Sequence, residues 1–125
     1  MKRSYTGLGE TEMELLRHVW EAGRCTVAEI HQVVTKYRPV AYTTIMSVMK
    51  KLADKGYLKF EQEGNAYVYW SAEPAEEMQG KVLQEVVEKV FSGSPSALVQ
   101  TLVAQGNMSE AQREEILAII EQLKP

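Results

Sequence analysis

Hydrophobic positions recur with helical spacing along most of the chain and with alternate spacing in one short stretch. In "GETEMELLRHVWEAG", Met13, Leu16 and Trp20 lie three and four residues apart, with Leu15 and Val19 beside them. This stripe predicts a helix that Gly23 ends. Its start is at Gly9 or Glu10, or behind Thr11 and Glu14, which have the spacing of a capping box. Thr26 and Glu29 repeat that spacing and predict a second helix with Ile30, Val33 and Val34 on one face. Pro39 stops it, because a proline pushes the residue before it, Arg38, out of helical geometry. A third helix is expected over residues 41–55. Ile45, Val48, Met49 and Leu52 form its buried stripe, and Gly56 is a suitable left-handed cap.

The period then shortens to two. "YLKFEQ" and "AYVYWS" predict a two-stranded hairpin across "EGN", where Gly64 and Asn65 both tolerate positive φ. Pro74 interrupts any continuation of the second strand, and helical spacing returns. Residues 75–91 carry Met78, Val82, Val86 and Val90 together with Leu83, Val87 and Phe91, a stripe too broad for one helix lying on a small domain. Ser94 and Pro95 suit the cap and first position of a helix that carries Leu98 and Leu102. Ser109 and Gln112 form another capping-box pair before Ile116, Ile119, Ile120 and Leu123.

Three short helices followed by a hairpin is the order of a winged helix-turn-helix. The expected fold is therefore mainly α with a small β-hairpin. A winged helix-turn-helix DNA-binding domain would span residues 1–72, and a C-terminal helical dimerisation domain residues 73–125. Charge divides the chain at the same place. The net charge of the 125 residues is −3, but residues 1–71 hold ten Lys and Arg against eight Asp and Glu, whereas residues 72–125 hold four against nine. A mildly basic part joined to an acidic part suggests two jobs, and "SAEPAEE" reads as the connector.

The three C-terminal helices, about fifty residues, have too little interior to bury all their apolar faces alone. A second copy of the chain is the economical cover; the competing arrangement, in which these helices fold back on their own DNA-binding domain, is the weaker account because "SAEPAEE" reads as a connector. Val82, Val86, Val90, Phe91, Leu98, Leu102, Ile116, Ile119, Ile120 and Leu123 are the expected dimerisation residues. A twofold homodimer would set two recognition helices on half-sites roughly 34 Å apart.

In this architecture the third helix enters the DNA major groove. Thr43, Thr44, Ser47, Lys50 and Lys51 lie off its apolar stripe. Short hydroxyls let a helix backbone approach base edges, and lysines supply charge to phosphates. Tyr42 could stack on a sugar or bond a phosphate, and Met46 could touch a thymine methyl group. Taken alone, such residues could equally be an ordinary solvated face; the order of the surrounding elements favours DNA. The alternative is a winged-helix protein-interaction module without direct DNA binding. Net acidity and Glu63 at the wing tip favour that alternative, whereas the hydroxyl and lysine face opposes it.

An enzyme would need a nucleophile with a base, or paired carboxylates in a cleft, and no such set is evident. His18 and His31 read as surface or boundary histidines. Cys25 reads as a small buried residue at the start of an extended segment. The spacing of these three matches no metal-ligand pattern, and no metal or other cofactor is expected. One cysteine cannot form an internal disulfide. No apolar run approaches the ~20 residues of a membrane helix. "MKRSYTGLGE" lacks the apolar core of a secretory signal, so the cytoplasm is the expected compartment.

These segments resemble the penicillinase-repressor family of bacterial transcription regulators, the BlaI and MecI type with copper-responsive repressors as relatives. The resemblance spans nearly the whole chain. "LGETEMELLRHVWEAGRCTVAEI" is similar to the family's opening, "VAYTTIMSVMKKLADKGYL" to its recognition helix and "EGNAYVYW" to its wing. "VFSGSPSALVQTLV" and "MSEAQREEI" are similar to its dimerisation helices. The resemblance implies a homodimeric repressor on an inverted-repeat operator, with Thr43, Thr44, Ser47, Lys50 and Lys51 facing the DNA. It also implies a membrane metalloprotease sensor as a partner, which in well-known members leads to cleavage at an Asn–Phe bond in the second dimerisation helix. The aligned residues here are Thr101 and Leu102, so that bond is not kept. The wing carries Glu63 and Asn65 where relatives often have basic residues. The paired cysteines of the copper-responsive members are absent, since no cysteine follows Cys25.

Overall fold

The computed structural model describes residues 7–123; Lys2 and Arg3 of the N-terminal stretch lie outside them. The chain order is α1 (Glu10–Ala22), β1 (Cys25–Thr26), α2 (Val27–Thr35), α3 (Tyr42–Asp54), β2 (Leu58–Glu63), β3 (Ala66–Ser71), α4 (Ala75–Val90), α5 (Pro95–Ala104) and α6 (Glu110–Gln122). Two compact units divide these elements, residues 1–83 and residues 84–125.

In the first unit, α1 is capped at Gly9. Glu12 reaches back to accept from the Gly9 N–H at 3.0 Å, satisfying one of the amides that a helix start leaves unpaired. The Thr11–Glu14 spacing is not used as a box, because the Glu14 carboxylate binds Arg38 instead. The Thr26–Glu29 box does form. The Thr26 hydroxyl accepts from the Glu29 N–H at 3.2 Å, and the Glu29 carboxylate accepts from the Thr26 N–H at 2.9 Å. The α3 helix ends where Gly56 takes φ 88°, a conformation that a side chain would strain.

The sheet has three strands, not two, in the order β1-β3-β2 and antiparallel throughout. In the hairpin, Leu58 pairs with Ser71 and Glu63 with Ala66. The added strand is the extended segment at Cys25, which pairs with Tyr69, while Thr26 pairs with Val68. Two residues that serve as linker and helix cap thus also extend the sheet, too short a segment to carry an alternating pattern. Of the two turn residues, only Gly64 takes positive φ, at 63°.

One face of each element is buried in a common core: Leu15, Leu16 and Val19 of α1, Ile30 and Val34 of α2, and Ile45, Met49 and Leu52 of α3. Tyr57, Leu58 and Tyr69 close it from the sheet side. Burying each large aliphatic side chain contributes about 1.5–3 kcal/mol, so the helical stripes fix how α3 is presented. This core also takes Met78 of α4, which is fully buried, with Val82 packed against it. The early part of α4 is therefore structural in the first unit, and the compact region extends past "SAEPAEE".

In the second unit, the Ser94 hydroxyl accepts from the Ala97 N–H at 3.1 Å, with Pro95 in the first turn of α5. Ser109 and Gln112 cap α6 reciprocally. Val87 is buried, but α5 and α6 have no buried residue.

Candidate nucleic-acid interface

The buried stripe of α3 turns its other side outward. Tyr42, Thr43, Thr44, Met46, Ser47, Lys50 and Lys51 are all exposed. The first turn offers a ring and two hydroxyls, the second Met46 and Ser47, and the third the two lysines. Such a face has donors, acceptors and a thioether for base edges, and charge for the flanking phosphates.

Both ends of α3 are tied to α1. Just beyond its C-terminus, Lys55 Nζ lies 2.7 Å from the Glu12 carboxylate. Before its N-terminus, Arg38 lies 2.5 Å from Glu14. The Lys55 ammonium beside Glu12, assisted by the Gly9 N–H, holds that carboxyl below the usual range. His31 completes the fastening from α2. Its Nε2 lies 2.8 Å from the Val40 carbonyl, and its ring meets Tyr42 edge-on with centroids 5.6 Å apart. Glu12, Glu14 and His31 are positioning residues that the sequence pattern did not single out. Their partners lie far along the chain or in a turn, where helical periodicity carries no signal.

The wing places its charges differently from the expectation of a bare acidic tip. Glu61 and Glu63 both bind Arg24, which raises the guanidinium's already high pKa, with the Glu61 bond the larger cause. Arg24 also lies 4.5 Å from the centre of the Trp70 ring. The alternate positions carry an exposed aromatic pair, Phe60 and Tyr67, stacked edge-on at 5.6 Å. Lys59 is exposed too, on the same side of β2 as Glu61 and Glu63.

Cys25 is a buried residue of β1, and its thiol is directed to the Tyr69 carbonyl at 3.8 Å. Burial pushes its pKa up to about 11, so the thiol stays protonated and unreactive near neutral pH.

The residues expected at a dimer contact fall into three groups. Val82 belongs with the first core. Val86, Phe91, Leu98 and Ile116 are half-buried. Val90, Leu102, Ile119, Ile120 and Leu123 are exposed, Leu102 at 49% and Ile119 at 58%. Thr101 is exposed in α5, its hydroxyl donating to the Ala97 carbonyl at 2.9 Å. No described helix is long and apolar enough to cross a membrane.

Comparison with known proteins gives a consistent family. The chain is 28% identical over 108 residues to the transcriptional regulator BlaI of Mycobacterium tuberculosis, covering 85% of this chain and 78% of that one. It is 20% identical over 113 residues to the methicillin resistance regulatory protein MecI of Mammaliicoccus sciuri, covering 90% and 92%. Among solved structures, the DNA-binding domain of the repressor BlaI matches with a TM-score of 0.50 at 24% identity. That match covers 57% of this chain and 85% of the domain, and it identifies the first unit as a winged helix. The penicillinase repressor family model matches residues 8–122, and the chain belongs to that family.

Proposed function

We propose that the chain is a transcriptional repressor that binds an inverted-repeat operator as a homodimer, with α3 in the major groove. The observation that carries this reading is the exposed hydroxyl and lysine face of α3, presented by a helix tied to α1 on either side. A helix that reads bases must hold its register to within a fraction of an ångström; the buried Ile45, Met49 and Leu52 stripe supplies that stiffness, and the two ion pairs add modestly to it. Thr43, Thr44 and Ser47 approach base edges, and Met46 meets a thymine methyl. Lys50 and Lys51 engage phosphates, and Tyr42 meets the backbone at the entry. With Glu61 and Glu63 paired to Arg24, the wing brings less repulsion to the DNA than its sequence implies.

Membership of a repressor family supports the same reading. The second unit supports the dimer: its exposed Leu102, Ile119, Ile120 and Leu123 are covered if two copies meet there. The negative C-terminal part then serves association, while the mildly basic part meets DNA.

Fluorescence anisotropy on the duplex upstream of the protein's own gene tests the proposal, with a scrambled duplex as control at two salt concentrations. Binding that survives moderate salt on the native duplex alone is the expected result. No binding to either duplex at low salt would overturn it in favour of a protein-interaction module.

A further inference from the structure

Sulfur is placed unevenly in this chain. Of its six methionines, Met1 lies outside the described residues, Met49 and Met78 are fully buried, and Met13 and Met108 are half-buried. Met46 alone among the described methionines is exposed, at 46%. Met46 and Met49 belong to the same helix, three residues apart, one turned outward and the other sealed in the core. The chain's one cysteine is buried in β1, and burial raises its pKa, so it offers no thiolate to an oxidant near neutral pH. The accessible sulfur among the described residues is therefore the Met46 thioether.

Its place gives that sulfur consequence. Thr43 lies three residues before Met46 and Lys50 four residues after it, so the thioether stands in the middle of the exposed face of α3. Thioethers oxidise according to their access to solvent, and the product is a polar, chiral sulfoxide in place of an apolar tip. An apolar tip suits contact with a thymine methyl. A sulfoxide in the same place buries a strong dipole against that methyl, which is costly.

We propose that Met46 is a reversible oxidation site through which a peroxide keeps the chain off its operator. The inference rests on the reading of α3 as the DNA-facing helix. The peroxide gives one oxygen to the sulfur: the O–O bond breaks, the S–O bond forms, the thioether loses two electrons, and the rest of the peroxide leaves as water or an alcohol. A thiol-dependent methionine sulfoxide reductase restores the thioether, the oxygen leaving as water while two thiols join as a disulfide. The sulfur is open in the free protein and covered once α3 lies in the groove. Oxidation thus acts on the free protein, and the sulfoxide prevents it from binding again.

The test treats the full-length protein with limiting hydrogen peroxide and locates the added oxygen by peptide mass spectrometry, with the Met1 peptide scored separately. Met46 should carry most of the oxygen, Met13 and Met108 less, and Met49 and Met78 none. The duplex upstream of the protein's own gene should protect Met46, and a scrambled duplex should not. Anisotropy on the native duplex then compares affinity before and after treatment. Wild-type binding should weaken roughly tenfold and recover with the two sulfoxide reductases that act on the two epimers. Met46→Leu, whatever its own starting affinity, should show no change on treatment. Oxidation that reaches Met13 or Met108 first, unchanged affinity of protein oxidised at Met46, or an equal loss in Met46→Leu overturns the proposal. Untreated protein that binds neither duplex is a separate failure: it overturns the repressor reading, and the proposal falls with it.

Discussion

Glu12 shows how much one side chain can settle: its carboxylate both caps α1 and anchors the residue that follows α3. Its pKa is depressed below the ordinary 4.5, chiefly by the Lys55 bond. A depressed carboxyl stabilises the fold above its unfolded pKa, and the contribution is lost as pH falls through the folded value. Glu12→Gln should therefore cost about 0.5–1 kcal/mol near neutral pH, modest because Lys55 is half-exposed. Urea unfolding at a series of pH values should show the gap to wild type closing below pH 4.5. The residues proposed to face DNA divide by the job each would do. Lys50→Ala with Lys51→Ala should weaken binding to all sequences and lower the salt slope by about one per lost phosphate contact. Thr44→Ala or Ser47→Ala should instead lose about 1–3 kcal/mol of preference for the operator over a scrambled duplex. Anisotropy on the two duplexes separates these patterns, and unchanged discrimination would remove Thr44 and Ser47 from base reading.

Among the elements, the wing turn isolates one physical cause. Gly64 adopts φ 63° with open space around the position a side chain would take. Gly64→Ala thus adds backbone strain without a clash, about 1 kcal/mol, which equilibrium unfolding should show as a small loss of stability. Elements of this kind were legible in the sequence because their causes are local. The Ile45–Val48–Met49–Leu52 stripe, the Thr26–Glu29 box, the Ser109–Gln112 box and the alternating hairpin all formed as read. What escaped reading depends on partners distant in the chain. Residues 25 and 26 become a strand only because β3 passes beside them. Likewise the start of α1 is decided by a carboxylate whose other partner is Lys55. Val82 is expected at the dimer contact, yet it packs against the first core beside the buried Met78, because periodicity shows which face is apolar but not what covers it. The same limit applied at the candidate site. The outward residues of α3 follow directly from its inward ones, while the Glu12, Glu14 and His31 fastenings do not.

On the scale of the whole molecule, the two units distribute apolar surface unequally. The first has a closed core of fully buried side chains from every helix and the sheet. Helices α5 and α6 bury no residue, and Leu102, Ile119, Ile120 and Leu123 stay open to solvent. Under the proposed dimer, these exposed apolar residues form the association site. A contact made by such residues can be broken without unfolding the protomer, because they contribute little to its interior. The double variant Leu102→Asp with Ile119→Asp sets four like charges into a twofold contact, since each substitution appears in both copies. It should sediment as a monomer at micromolar concentration while the wild type sediments as a dimer, with the thermal unfolding of the first unit unchanged. Its binding to a full inverted repeat should fall towards that for a single half-site, because the two recognition helices are no longer joined. Salt dependence should then resemble that of one α3 face, with about half the wild-type slope. A wild-type protein already monomeric at that concentration would remove the second copy as the cover for α5 and α6. A variant that remains dimeric would move the contact to other residues of the chain.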